Sequence, residues 1–134
     1  MEWQRRQLQA SPDEQKRVVA GKEIFGNSCE ACHGADGRGQ ETVTPNLVGY
    51  AALLGPAGVP VRVLLQGKEG AIGLMPAHGD SLTDEQIAAV LSYVRRDWGN
   101  TAAPIDAATV KTIRGQTAGR TQPWTPAELS AIAP

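Results

Sequence analysis

The sequence predicts a helical fold class, and three observations carry that reading. Two stretches place apolar residues at helical spacing behind a full start signal, Ser11-Pro12-Asp13-Glu14 and Thr83-Asp84-Glu85-Gln86. The pieces between them, Leu47 to Leu54 and Val61 to Gln66, are short and punctuated by Gly and Pro. Neither alternates with period two, so both read as short helices or turns rather than strands. Finally, aromatics are only 4% of 134 residues while Gly and Pro number 15 and 9, so loops are abundant and something other than aromatic bulk is expected to fill the centre.

In the first helix Ser11 is the N-cap, Pro12 the first helical residue, and Glu14 closes a capping box. Val18, Gly21, Phe25 and then Ser28/Cys29 share one face, which ends at the cysteines. Gly21 costs such a helix about 1 kcal/mol relative to Ala, a cost best explained by a second helix crossing close against it. The second strong helix starts at the Thr83 capping box and is expected to run through Ile87, Val90, Leu91, Val94 and Trp98 to Gly99-Asn100. Asp106 caps a short helix to about Arg114, and Thr125-Pro126-Ala127-Glu128 opens a last helical turn. This tail has little apolar mass of its own and is expected to wrap the rest of the chain or pack on a neighbour.

Composition excludes several classes. A chain of 134 residues holds one core, and 41% hydrophobic with 20% charged residues is not a disordered composition. A net charge of -1 excludes a strongly basic nucleic-acid binder. The uncharged stretch Thr42 to Val61 carries Pro45, Pro56, Pro60, Gly49, Gly55 and Gly58, too many helix breakers for a membrane span. The opening MEWQRRQLQA has positive charge with no apolar run behind it, so it is no secretory signal as it stands; a signal already removed, or a piece of a longer chain, is expected.

Cys29-Glu30-Ala31-Cys32-His33 is the strongest chemical signal. Cysteines at i and i+3 at a helix end lie on one side, where their sulfurs can add to the two vinyl groups of haem while the adjacent His33 meets the iron. The same cysteine spacing serves a dithiol redox pair, which belongs in a βαβ setting, or half a zinc site, which needs two more good ligands when only His33 and His78 remain. With haem, the sixth iron position falls to Met75, the sole internal methionine, in the Gly-rich loop Ile72-Gly73-Leu74-Met75-Pro76. A thioether there favours the ferrous state and raises the potential. His78 is the rival ligand.

With these residues in place the sequence resembles class I cytochromes c over about residues 14 to 99. The likeness rests on Gly21 and Phe25, CEACH, Gly34-x-x-Gly37-x-Gly39, Thr44-Pro45-Asn46-Leu47-x-Gly49, Met75-Pro76, and Val90 with Tyr93. It implies an all-α cytochrome c fold around one covalent haem c, with a C-terminal extension and a helix crossing at Gly21/Phe25 and Val90/Tyr93. It also implies that the Pro45 carbonyl accepts the second ring N–H of His33, fixing the ring. Residues 1–10 are then an arm or linker, 11–100 the cytochrome domain, and 101–134 an extension similar to the tails of bacterial cytochrome c domains that serve periplasmic dehydrogenases or reductases.

Two protein ligands leave the iron no open site, so the expected role is one-electron transfer between a periplasmic or extracytoplasmic dehydrogenase or reductase centre and another carrier, not turnover. The alternatives are a haem enzyme or gas sensor with a labile Met75, and a structural module in which haem only stabilises the fold. The resemblance places the docking face around Ala31, Gly34 and the 71–79 loop, mostly small and uncharged: Ala71, Gly73, Ala77 and Gly79 beside Ile72, Leu74 and Pro76. Such a patch suits a short-lived complex or a permanent neighbour domain. Lys22, Lys68 and Arg38 are the nearest basic residues, read first as solvated charge, with Arg38 the candidate for a haem propionate.

Overall fold

Helix α1, Pro12–Ser28, begins with Asp13 and Glu14 in its first turn, where the helix dipole favours negative charge. The computed structural model of the chain describes residues 12–39, 47–70 and 73–132; Ser11, expected to cap this helix, lies outside them. At Gly21, α1 meets α5, Asp84–Val94: a Cβ on Gly21 would stand 1.9 Å from the Ala89 carbonyl oxygen and 2.9 Å from the Tyr93 Cβ. Only a residue without a side chain allows backbones this close, so the crossing expected from Gly21 is present. One turn on, Phe25 packs on Tyr93 at 5.7 Å and on Trp98 at 5.3 Å, and Tyr93 meets Trp98 at 5.7 Å, a closed set of three tilted or edge-on rings.

The start of α5 is the predicted capping box: Thr83 Oγ1 accepts from the Gln86 N–H at 3.1 Å and Gln86 Oε1 accepts from the Thr83 N–H at 2.8 Å. Every residue from Ile87 to Val94 is buried, more than one stripe, because α5 is covered on several sides. The helix stops at Val94, short of the expected Trp98. Trp98 instead sits at φ 54, with Asp97 Oδ1 accepting its N–H at 2.8 Å. Its apolar side chain is satisfied by the ring cluster, not by another helical turn. Asn100, 3% exposed, pins this turn: its amide donates to the Val94 and Leu47 carbonyls at 2.9 and 3.2 Å, and its oxygen accepts from the Gly49 N–H at 2.8 Å. Arg95 is also buried, and its guanidinium donates to the Leu53, Gly55 and Ala103 carbonyls at 2.8, 2.9 and 2.8 Å. Burial lowers the pKa of this group below the ordinary arginine value.

Between the crossing helices run α2 (Glu30–His33), α3 (Ala51–Leu54) and α4 (Gly58–Gln66), the last placing Val61, Leu64 and Leu65 in the core. An antiparallel hairpin follows, β1 (Lys68–Gly70) with β2 (Gly73–Met75), in register Lys68 opposite Met75. Strands of three residues offer no alternation to read, which is why this hairpin was not expected.

Beyond α5, Ser92 Oγ accepts from the Ile105 N–H and donates to the Ile105 carbonyl, anchoring the chain as it turns back. Asp106 caps α6, Ala107–Gln116, accepting from the Thr109 N–H at 2.8 Å, and hydrogen bonds from the Thr109 side chain and then its backbone lower the carboxyl pKa. Val110 and Ile113 of α6 join the main core. Thr125 and Glu128 form the capping box of α7, Pro126–Ser130, and Trp124, Leu129 and Val59 make a second small cluster. Among the described residues no helix is long and apolar enough to cross a membrane.

Candidate functional site

The end of α1 and the start of α2 carry the Cys-x-x-Cys-His segment. The Cys29 N–H donates to the Phe25 carbonyl at 2.9 Å and the His33 N–H to the Cys29 carbonyl at 3.0 Å, so Cys29 and His33 stand one turn apart on one side. His33 is only 8% exposed, and Cys29 is half-buried against the main core. Cys32 lies between them in α2; its side chain and that of Ala31 are outside the described residues.

After His33 the chain turns sharply, with the Gly34 N–H on the Glu30 carbonyl at 2.7 Å and the Gly39 N–H on the His33 carbonyl at 2.7 Å. Gly37 is required twice over: its φ is +72, and a Cβ there would lie 2.5 Å from the Trp98 ring. The indole rests against this loop and its Nε1–H donates to the Ala35 carbonyl at 3.1 Å. Trp98 thereby ties the loop after His33 to the Phe25 and Tyr93 rings, a link that no helical pattern signals. Burial, and then a hydrogen bond to Asp97, push the Tyr93 phenol pKa well above its ordinary value.

Met75 ends β2, half-buried and packed against the same apolar core as Cys29. Its neighbour Leu74 is 63% exposed, as strand alternation demands, and Pro76 and Ala77 are exposed as well. His78 is half-buried, with its N–H on the Leu64 carbonyl at 2.7 Å. Pro45, Ala71 and Ile72 lie outside the described residues. Of the basic candidates, Arg38 reaches Asp36 at 3.7 Å with both side chains about two-thirds exposed (67% and 64%), and Lys68 donates to the Tyr50 hydroxyl at 2.7 Å.

The residues fit a haem. The Met75 thioether and the Cys29 thiol pack against one apolar core, whose partly covered edge is also lined by Leu47, Tyr50, Leu54 and Leu82, and the His33 imidazole is buried. Among the described residues the settings that the other uses of the cysteine pair require are not found. The described strands form an antiparallel hairpin instead of a βαβ unit, and among the described residues no three His, Cys, Asp or Glu cluster where a metal ion could be held.

The family model for "Cytochrome C oxidase, cbb3-type, subunit III" matches residues 16–94, from within α1 to the end of α5. The chain belongs to the cytochrome c family. This cytochrome carries covalently bound haem c and transfers electrons. It is 36% identical over 76 residues to cytochrome c-554(548) of Halomonas halodenitrificans, an alignment covering 57% of the chain and 90% of that protein. It is 35% identical over 108 residues to the gluconate 2-dehydrogenase cytochrome c subunit of Pantoea cypripedii, covering 70% of the chain and 24% of the relative. With the fructose dehydrogenase cytochrome subunit of Gluconobacter japonicus it is 36% identical over 110 residues, covering 73% and 22%. The cytochrome thus spans about a quarter of the length of these dehydrogenase subunits.

Proposed function

We propose that this cytochrome relays single electrons between a dehydrogenase or reductase centre and another redox carrier outside the cytoplasm, with no substrate turned over at its own haem. In this reading Cys29 and Cys32 hold the haem through thioether bonds, and His33 and Met75 are its axial ligands. The observation that carries it is that His33 is buried at the end of the Cys-x-x-Cys-His segment while Cys29 and Met75, on different elements, both pack against one apolar core. When bound, the haem supplies a reversible ferric/ferrous couple, and a thioether ligand favours the ferrous form.

The chain's own residues do the remaining work. Leu64, Leu65 and their neighbours keep water away, which favours the state of lower net charge. The loop pinned by Trp98 fixes the backbone behind His33, and the Pro45 carbonyl is the acceptor that orients its ring. The exposed Leu74, Pro76 and Ala77 give the partner an uncharged contact next to the Met75 ligand. The likeness to dehydrogenase cytochrome subunits supports a dehydrogenase as donor and a periplasmic location. Residues 101–134 are the extension to the cytochrome domain of residues 11–100, serving that domain or a partner, and Val110 and Ile113 within it join the main core.

Acid acetone tests the attachment: the haem should stay with the protein, and extraction from intact protein would refute it. Met75→His should abolish the weak far-red sulfur-to-iron band of the ferric protein and lower the potential markedly, while His78→Ala should leave both unchanged. A band that survives Met75→His removes Met75 as ligand. Native ferrous protein should not bind carbon monoxide; binding at neutral pH, with peroxide or nitrite turnover, would favour an enzyme with a labile Met75.

A further inference from the structure

The segment after α5 touches the chain on both sides of Met75. Upstream, the Trp124 N–H donates to the Gly67 carbonyl at 2.9 Å and the Trp124 carbonyl accepts from the Glu69 N–H at 2.9 Å, a parallel bridge to Lys68. The other edge of Lys68 pairs with Met75 itself, so Trp124, Lys68 and Met75 lie in one row across three strands of chain. The indole Nε1–H donates to Gln66 Oε1 at 2.9 Å, and Gln66 Nε2 donates to Thr117 Oγ1 at 2.8 Å. Arg120 stacks on the indole at 3.6 Å and is held in turn by Glu128, its Nη1 and Nη2 each 2.8 Å from a carboxylate oxygen. Downstream, Arg114 of α6 donates to the Gly79 and Leu82 carbonyls, at 2.6 and 2.9 Å, and its Nε reaches Asp84 at 2.7 Å.

A hairpin with three-residue strands has almost no stability of its own. A thioether is also a weak ligand, which an outside base replaces whenever its loop swings away. We propose that residues 114–124 brace the Met75 loop from both flanks, with Arg114 and Trp124 as positioning residues that set how seldom Met75 leaves the iron. This rests on Met75 being the sixth ligand. The extension serves the site without contributing a ligand, by making the open state of the loop rare. An outside base binds only the open state, so its apparent affinity measures that population.

The test is imidazole titration of the ferric holoprotein at fixed pH, with hydrogen exchange of the Glu69 amide as a second readout. Arg114→Gln and Trp124→Ala should each tighten imidazole binding about tenfold, as the loss of roughly one or two net hydrogen bonds implies, and Trp124→Ala should speed exchange at Glu69. Trp124→Phe, which keeps the ring under Arg120 but loses the bond to Gln66, should show a smaller change in the same direction and serves if Trp124→Ala folds poorly. Val18→Ala, a core truncation in α1, should lower global stability and leave imidazole affinity unchanged. Unaltered affinity in both brace variants overturns the proposal, as does an equal rise in Val18→Ala. Met75→His separates the two readings. If it removes the far-red band while the brace variants stay unmoved, the brace alone falls; if the band survives, the ligand assignment falls and takes the brace with it.

Discussion

Gly21→Ala puts a methyl group where α1 and α5 touch. Its carbon would lie 1.9 Å from the Ala89 oxygen, 2.5 Å from the Ala89 carbonyl carbon and 2.9 Å from the Tyr93 Cβ. Close C···O contacts between packed helices settle near 3.3 Å, so the helices must separate by about 1.4 Å at this point. Two of the three obstructing atoms are backbone, so no side chain can turn aside, and the cost belongs at the upper end of the ~1–3 kcal/mol seen for overpacked cores. Against it stands a gain of ~1 kcal/mol from replacing Gly by Ala inside a helix. The net loss is about 2 kcal/mol, or roughly 8 °C in Tm for a domain of this size. Gly26 is the matched control: it is exposed on the same helix and a Cβ there meets nothing within 4 Å. Gly26→Ala should therefore raise stability by ~0.5 kcal/mol. Thermal unfolding of the two holoprotein variants should give shifts of opposite sign. A Gly21→Ala protein at least as stable as the parent would show that the crossing is looser than these distances and refute the reasoning.

Asn100→Ala leaves the Val94 and Leu47 carbonyls and the Gly49 N–H without the amide that joins them, and should cost ~3 kcal/mol in urea unfolding. A loss below about 1 kcal/mol would mean that water replaces the amide. The clasp at the end of the chain has its own pH signature. Hydrogen bonds from Arg120, then the Thr125 backbone, hold the Glu128 carboxyl down at about 2 against an ordinary 4.5. A depressed carboxylate adds stability that is complete above the unfolded value and fades as pH falls from 4.5 toward 2. Near-ultraviolet circular dichroism of Trp124 should change over that window, and Glu128→Gln should abolish the change; an identical transition in the variant would assign it to another group.

What the sequence revealed of this molecule follows how local each cause is. The capping box at Thr83, the Asp106 cap and the helical turn opened at Thr125 are each set within three residues, and all three are present as read. Gly21 signalled a long-range contact because a glycine inside a helix has a cost that demands a reason. Trp98 misled for the same kind of cause: its spacing from Val94 is helical, but its burial comes from Phe25, Tyr93 and Gly37, residues that no local period connects. Nothing local marks Arg95 and Arg114 as structural, yet both serve as donors to loop carbonyls, and which carbonyls lack a partner is known only once the loops are folded. The hairpin around Met75 went unread since its strands are too short to show a pattern and one of its supports is Trp124, forty-nine residues after that methionine in the chain. At the site, the motif places Cys29 and His33, while the burial of His33 and the packing of Cys29 and Met75 on one apolar core come from tertiary structure.

The contact between α1 and α5 also orders events in time. It joins residues 12–28 to residues 84–94, so the chain must close a long span before either helix gains its main partner. A chain emerging from its N-terminus presents Cys29, Cys32 and His33 well before the complementary face exists. Through that interval α1 is too weakly supported to persist, as a helix of 17 residues bearing Gly21 and Gly26 is marginal alone in water. The segment that carries the cysteines is therefore loose until that partner arrives. Once residues 84–94 are available, Ala89 closes on Gly21 and each helix holds the other in place.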